Sequence, residues 1–589
     1  MSTVSQSSLR AILGAAGIFL SLLLHAAPQQ PVDAPLLPLA EVKAGMKGEV
    51  WTVFRGTQPE PFAVEVTGVV QNAIGPGKAM IICELSDPRV QSMGAVAGMS
   101  GSPLYIDGRL AGALSYQVQR FETVHYAGFT PAADLAEVQS RVGPPEPVAG
   151  AKSPGTTLSS VSSSYQALQP VFTFSGLSPA VAELFSARFA ALGLGATALG
   201  GHADGNNAVL ASGPLVPGSA ISVALATGDI TLAGTGTVSR VEGRRVTAFG
   251  HPMLALGDVE LPMCEAEIVT ILPSNMQSIK VANTGAVIGT IAQDRLSAVA
   301  GTLGPGPAMI PVEVVVSPLG SAPRTLHFSV VRQSQLTPSV VASGVTQAIL
   351  SSNDAGLSEG FRLTSDVTFP AGQTVKGATL YAGPQAFAQG LGDFVQQLAA
   401  NLQNPYEKTF PDRVKFTVEA LAQNPSVVLD LFQLSRSTAR SGDTVQATVA
   451  WRDWQGATHR ETTDIAIDPD WAGKNLDVVL VPGRILDELT GRPRAIPAAQ
   501  LRSFDAYLAA LNDDRASDGL YLAVVEKAPV FTDQTSPTRE LPGTFERIAR
   551  GADETRYQKR DTFVPLWERH LLPGRLLTAQ ATRSIQVVE

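Results

Sequence analysis

Residues 98–114 read Gly98-Met99-Ser100-Gly101-Ser102-Pro103-Leu104-Tyr105-Ile106-Asp107-Gly108-Arg109-Leu110-Ala111-Gly112-Ala113-Leu114. Two apolar runs around Asp107-Gly108 predict antiparallel strands joined by a tight primed turn, because that dipeptide tolerates positive φ at both central positions. The loop in front holds the ingredients of an acyl-transfer nucleophile. Small neighbours let a substrate carbonyl reach Ser100, and the loop's amides can point at a developing oxyanion. Glycine and serine are also ordinary turn residues before a strand, so Ser100 needs support from elsewhere in the chain.

The same alternation extends in both directions. Upstream, Phe62, Val64 and Val66 alternate with Ala63, Glu65 and Thr67, and Ala79–Leu85 is apolar except for Glu84; these read as a half-buried and a fully buried strand. Downstream, Ala220–Leu225 and Leu232–Val241 are strands, and Glu242-Gly243 turns the chain into Arg244–Phe249, which delivers Gly250-His251-Pro252. This layout mirrors the Asp107-Gly108 hairpin, with a reactive residue type beside each turn. Val312–Val316 and Thr325–Val331 are further strands. Helices are expected over Val181–Leu192, from Thr337-Pro338 to about Ser352, and over Pro384–Gln403. The last carries a core-facing stripe of Phe387, Leu391, Phe394, Val395, Leu398 and Leu402 and stops at Asn404-Pro405.

The chain has 589 residues, 44% hydrophobic and 16% charged, which excludes long disordered or coiled-coil architectures and predicts several domains with large cores. Frequent glycine and proline, few aromatics and short alternating runs make it mainly β. The net charge is −9 and no Lys/Arg stripe is present, so nucleic acid is not an expected partner. Met1–Ala27 has the layout of a signal peptide: Arg10, an apolar run from Ala11 to Leu24, then small residues. That run is shorter than the roughly 20 residues that span a bilayer, and an uncleaved anchor is the alternative. In either case the body is expected to be exported. Pro28–Pro38 is a proline-rich leader, and Ser153–Ser164 reads as a linker or exposed loop. From Tyr406 onward the composition is more charged. The strict alternation of Val445, Ala447 and Val449, with Trp451 and Trp454 after it, suggests a β-sandwich. Cys83 and Cys264, the only cysteines, fit either a disulfide bridge or two buried free thiols.

Gly98–Pro103 with its hairpin resembles the nucleophile segment of the stage IV sporulation protein B (SpoIVB) peptidase family, itself similar to chymotrypsin-like serine proteases. Gly234–Gly304 resembles the family again, through Gly236-Thr237-Val238, Thr247-Ala248-Phe249-Gly250-His251, and Gly289–Gly301 containing Gln293-Asp294-Arg295. The resemblance implies a chymotrypsin-like double β-barrel peptidase region with a few helices over residues 28–405, strongest at 40–140 and 230–310. A C-terminal β-rich, sandwich-like accessory domain would follow at 406–589. It further implies Ser100 as nucleophile, His251 as general base, and the amides of Gly98 and Ser100 as oxyanion hole. For the carboxylate behind the histidine two residues compete. Asp87 matches the place of an acidic residue that the sporulation peptidase uses and is slightly preferred, whereas Asp294 follows His251 where chymotrypsin-like proteases put theirs. In the sporulation peptidase the histidine precedes the serine; here Ser100 comes first, which implies a permuted arrangement of the two barrel halves.

Other histidines have plainer readings: His125 at a strand edge, His202 in a glycine-rich loop, His327 alternating in a strand. His251, Asp258, Glu260 and Cys264 lack any paired metal-ligand spacing, and no phosphate-binding loop occurs, so neither metal nor cofactor is expected. The expected protein is an exported serine endopeptidase, periplasmic, envelope-associated or secreted, acting on protein or peptide through an acyl-enzyme on Ser100. The rival is a non-catalytic exported scaffold or binding protein on a peptidase fold, with the C-terminal domain a candidate contact for a cell-envelope partner. A third reading is self-processing at the leader or at Ser153–Ser164.

Overall fold

A computed structural model describes residues 30–118, 125–143, 165–168, 171–197, 201–202, 213–274, 278–350, 355–402, 406, 409–491, 503–533, 536–538 and 557–589. The signal-like segment 1–27, the linker 153–164 and the stop at 404–405 lie outside the described residues.

The hairpin forms as its sequence dictates. Asp107 and Gly108 have φ of 49° and 71°, the two left-handed positions of a primed turn. They join β4 (Pro103–Ile106) to β5 (Arg109–Val118). With β1 (Lys47–Thr52), β2 (Glu60–Gly75), β3 (Lys78–Leu85) and β6 (Tyr126–Pro131) these strands close a barrel in the order β1-β2-β3-β6-β5-β4, with β4 returning to β1. Phe62, Val64 and Val66 point into its core while Ala63, Glu65 and Thr67 face out, the period-2 pattern of a strand with one wet face.

A second barrel is built from β7 (Ala220–Gly228), β8 (Thr231–Glu242), β9 (Arg245–Ala248), β10 (Gly257–Leu272), β11 (Ile279–Arg295) and β12 (Ala298–Leu303). Its order, β7-β8-β9-β12-β11-β10 with β10 returning to β7, is the circuit of the first barrel repeated. The expected double barrel is therefore present. Beyond β7 the second sheet continues through Arg324–Val331, Met309–Ser317, Arg413–Ala420, Phe361–Thr368 and Thr374–Tyr381. Helices Pro179–Ala191 and Thr337–Leu350 form near their expected places. The helix expected over 384–403 is instead two, Pro384–Gln389 and Leu391–Leu402, parted at Gly390, where glycine favours a break over a helix interior. The predicted apolar stripe is nonetheless buried.

From Val427 onward, Val427–Leu434, Thr444–Asp453 and Thr458–Ala466 form one sheet. Asn475–Val481, Leu520–Asp533, Tyr557–Leu571 and Ala581–Val588 belong to another. Val445, Ala447 and Val449 of the first meet Leu476, Val478, Leu480, Leu522 and Val524 of the second in one core, which makes this region a sandwich. Cys83 and Cys264 are buried free thiols, so of the two cysteine readings the unbridged one holds. No helix among the described residues is long and apolar enough to cross a membrane.

Candidate active site

Ser100 and His251 occupy corresponding connections of the two barrels. The link from third to fourth strand carries Ser100 in the first, between β3 and β4, and His251 in the second, between β9 and β10. The two loops interlock at the backbone. A Cβ on Gly101, whose φ is 95°, would stand 2.0 Å from the Thr237 carbonyl and 2.4 Å from the Phe249 nitrogen; one on Gly250 would meet Ser115 Oγ at 2.4 Å. Only glycine permits that approach. Strand β8 then holds the serine loop by donating to its carbonyls: Thr237 N–H to Ser100 O at 2.8 Å, Thr237 Oγ1 to Gly98 O at 3.0 Å and Ser239 Oγ to Gly101 O at 2.8 Å. In return Thr130 of β6 donates to the Gly250 carbonyl at 2.6 Å.

Both side chains are fully buried. Ser100 Oγ and His251 Nε2 have no hydrogen-bond partner among the described residues, a condition that buried polar atoms rarely tolerate and that marks a place for explanation. The other ring nitrogen, Nδ1, lies 2.7 Å from the Pro252 carbonyl. A carbonyl only accepts, so Nδ1 carries the proton and Nε2 presents its lone pair. Burial pushes the His251 pKa down to about 4, leaving the ring neutral. Phe249 and Ala255, at φ of 67° and 56°, bracket the histidine with left-handed backbone that non-glycine residues seldom adopt; such conformations cluster at functional sites. On the serine side, no described backbone hydrogen bond uses the Gly98 or Ser100 amide as donor.

The two candidate carboxylates are used differently. Asp294, buried at the end of β11, accepts from the amides of Met253 at 2.7 Å, Leu254 at 2.8 Å and Leu256 at 3.2 Å. It thereby fixes the loop that leaves His251. Burial raises its pKa, against the lowering effect of those amides. Asp87 caps the short helix Pro88–Gln91, accepting from the Arg89 amide at 2.9 Å, and pairs with the Arg89 guanidinium at 3.1 Å. Those hydrogen bonds hold its carboxyl below the usual range. None of its described bonds reaches Ser100 or His251.

The remaining histidines stand apart. His125 is half-buried beside Gly94, His327 is exposed, and the backbone of His202 pairs in parallel with Thr284 of β11. Asp258 pairs with Arg295 at 2.7 Å. One residue that the sequence reading passed over does reach the serine loop. Lys280, fully buried, donates its own amide to Ala97 O at 2.9 Å. In Ile279-Lys280-Val281-Ala282-Asn283-Thr284 the large apolar Ile279 and Val281 suggest the wrong face for the core; Lys280, Ala282 and Thr284 are the buried ones.

Comparison with known families bears on the serine side. Residues 12–129 match the family model SpoIVB peptidase S55. The S55 match takes in Asp87, Gly98 and Ser100, about a fifth of the chain, and ends before His251. It supports serine-type peptidase activity and, with it, a protein substrate. None of the curated proteins or solved structures compared matches the chain.

Proposed function

We propose that the protein is an exported serine endopeptidase that cleaves peptide bonds through an acyl-enzyme on Ser100, with His251 as general base. The observation that carries this reading is the pair of buried, unpartnered atoms, Ser100 Oγ and His251 Nε2, on interlocked and corresponding loops. In the first step Nε2 takes the hydroxyl proton as Oγ bonds to the substrate carbonyl carbon. The tetrahedral oxyanion is met by the Gly98 and Ser100 amides, and the imidazolium returns its proton to the leaving amine. Water, activated by the same nitrogen, then releases the acyl group. Asp294 supports His251 from behind by fixing residues 253–256; in this reading it takes the orienting role, and Asp87 serves the fold of the serine loop. Full burial of both side chains means that substrate enters only after the site opens. The signal-like N-terminal segment supports export to the periplasm, envelope or medium, and the C-terminal sandwich offers a surface for an envelope partner.

The same burial, and the lack of a direct Ser100–His251 bond, favours a second reading as a non-catalytic scaffold. A fluorophosphonate serine probe separates the two. Labelling of the folded wild type that disappears in both Ser100→Ala and His251→Ala is expected; a folded wild type that never labels, or a Ser100→Ala variant that still does, overturns the peptidase.

A further inference from the structure

Lys280 begins on the His251 barrel and ends on the Ser100 barrel. The chain around it clamps Ala97, whose amide donates to Ser278 O and whose carbonyl accepts from the Lys280 amide, both at 2.9 Å. The stem then passes over Gly98: Cβ, Cδ and Cγ lie 3.0, 3.2 and 3.3 Å from where a Gly98 Cβ would stand, and Gly98 has φ of 95°. At its far end Nζ donates to Thr52 Oγ1, the last residue of β1, at 2.8 Å. One side chain thus spans the junction of the barrels and covers the glycine whose amide faces the oxyanion in the proposed mechanism.

For stability alone this is a poor choice of residue. A buried amine with a single neutral partner is costlier than a methionine of similar length. Burial lowers Lys280 to about 7, and it is the only cause of that shift. Its described neighbours include the Thr52 hydroxyl from β1, the Gly98 backbone from the serine loop and Ile271, its register partner on β10, and none of these three is charged. A polar group kept at such a cost belongs to the class that serves function at the expense of stability.

We propose that Lys280 is a positioning residue for the Ser100 nucleophile: its stem and its bond to Thr52 hold the Gly98 and Ser100 amides in their oxyanion-binding arrangement across the barrel junction. The inference rests on the reading of Ser100 as nucleophile.

The test uses the full chain. Lys280→Met keeps the stem and removes the amine, Thr52→Val removes the acceptor, and Thr52→Ser keeps the hydroxyl. Fluorophosphonate labelling is followed against probe concentration, with thermal unfolding at pH 7 and amide hydrogen exchange of residues 97–100. Lys280→Met and Thr52→Val are expected to lower the maximal labelling rate by about 10- to 100-fold, as small misplacements near reacting atoms do. The half-saturating probe concentration should stay unchanged and exchange at 97–100 should quicken. Thr52→Ser should behave as wild type, the double variant should be no slower than either single one, and Lys280→Met should melt no lower than wild type. Wild-type labelling and exchange in Lys280→Met overturn the proposal, as does a slowdown that merely follows a lost Tm. If the wild type fails to label but exchange at 97–100 still quickens in Lys280→Met, the nucleophile reading falls while the prop stands.

Discussion

The two barrels share one strand circuit and put the same connection to different uses. In the first, the link between third and fourth strands runs over residues 86–102, with a capped helical turn and three left-handed glycines, Gly94 and Gly98 ahead of Ser100 and Gly101 behind it. In the second it is the short stretch 249–256, stitched by three amides to the carboxylate of Asp294. One loop is shaped by the absence of side chains, the other by a buried carboxyl group. Because the circuits are the same, Ser100 and His251 stand on corresponding connections whichever barrel comes first along the chain.

The comparison breaks most sharply at the two reacting residues. If each loop supplies one half of the chemistry, Ser100→Ala and His251→Ala should each abolish probe labelling, with turnover losses on the order of 10⁶-fold. A single silent variant would leave one barrel without a role. Next come the carboxylates. Asp294→Ala orphans three loop amides and should cost at least about 3 kcal/mol in denaturant unfolding, with a labelling rate reduced about 100-fold by displacement of the histidine. Asp87→Ala loses a helix cap and an exposed ion pair, about 1 kcal/mol, and should label almost as wild type. The reverse result would make Asp87 the orienting group.

The glycines test the other loop. Gly101→Ala meets both left-handed strain and a backbone collision, about 2–5 kcal/mol together. Gly108→Ala in the hairpin has open space around it and should cost only the left-handed strain, about 1–2 kcal/mol; equal costs would mean that the barrels are not pressed together at Gly101. The pH dependence of stability tests the histidine loop. His251 is held neutral by burial, with a pKa about 4 when folded against about 6.5 unfolded. As pH falls through that window the unfolded chain takes up a proton first, so the contribution of His251 to stability, up to about 3 kcal/mol, is lost between about 6.5 and 4. Unfolding of wild type and His251→Ala across this range should diverge accordingly. Labelling should stay near its maximum well below pH 6.5, since Nε2 remains an acceptor there.

Local features were legible from residues alone. The hairpin at Asp107-Gly108, the alternation in β2 and the sandwich strand around Val445 each declare themselves within a few positions, because turn chemistry and burial period act locally. Barrel closure was accessible only through family resemblance, since pairing β4 with β1 or β10 with β7 leaves no local signature. The two aspartates could not be ranked from the sequence: Asp87 is near Ser100 in the chain yet spends its carboxylate on Arg89, while Asp294 reaches across the β10–β11 sheet to residues far upstream of it. Lys280 was missed for a similar reason, as its environment is made by Thr52 and Gly98 on the other barrel.

Cys83 and Cys264 lie buried on strands of separate barrels with thiols pushed up by burial, Cys264 to about 12. Exchange with disulfides requires thiolate at an accessible surface, and neither condition is met. The fold is thus indifferent to the redox poise of its surroundings: it needs no oxidase to mature, gains nothing from a disulfide isomerase, and should behave alike with or without a reductant in the buffer.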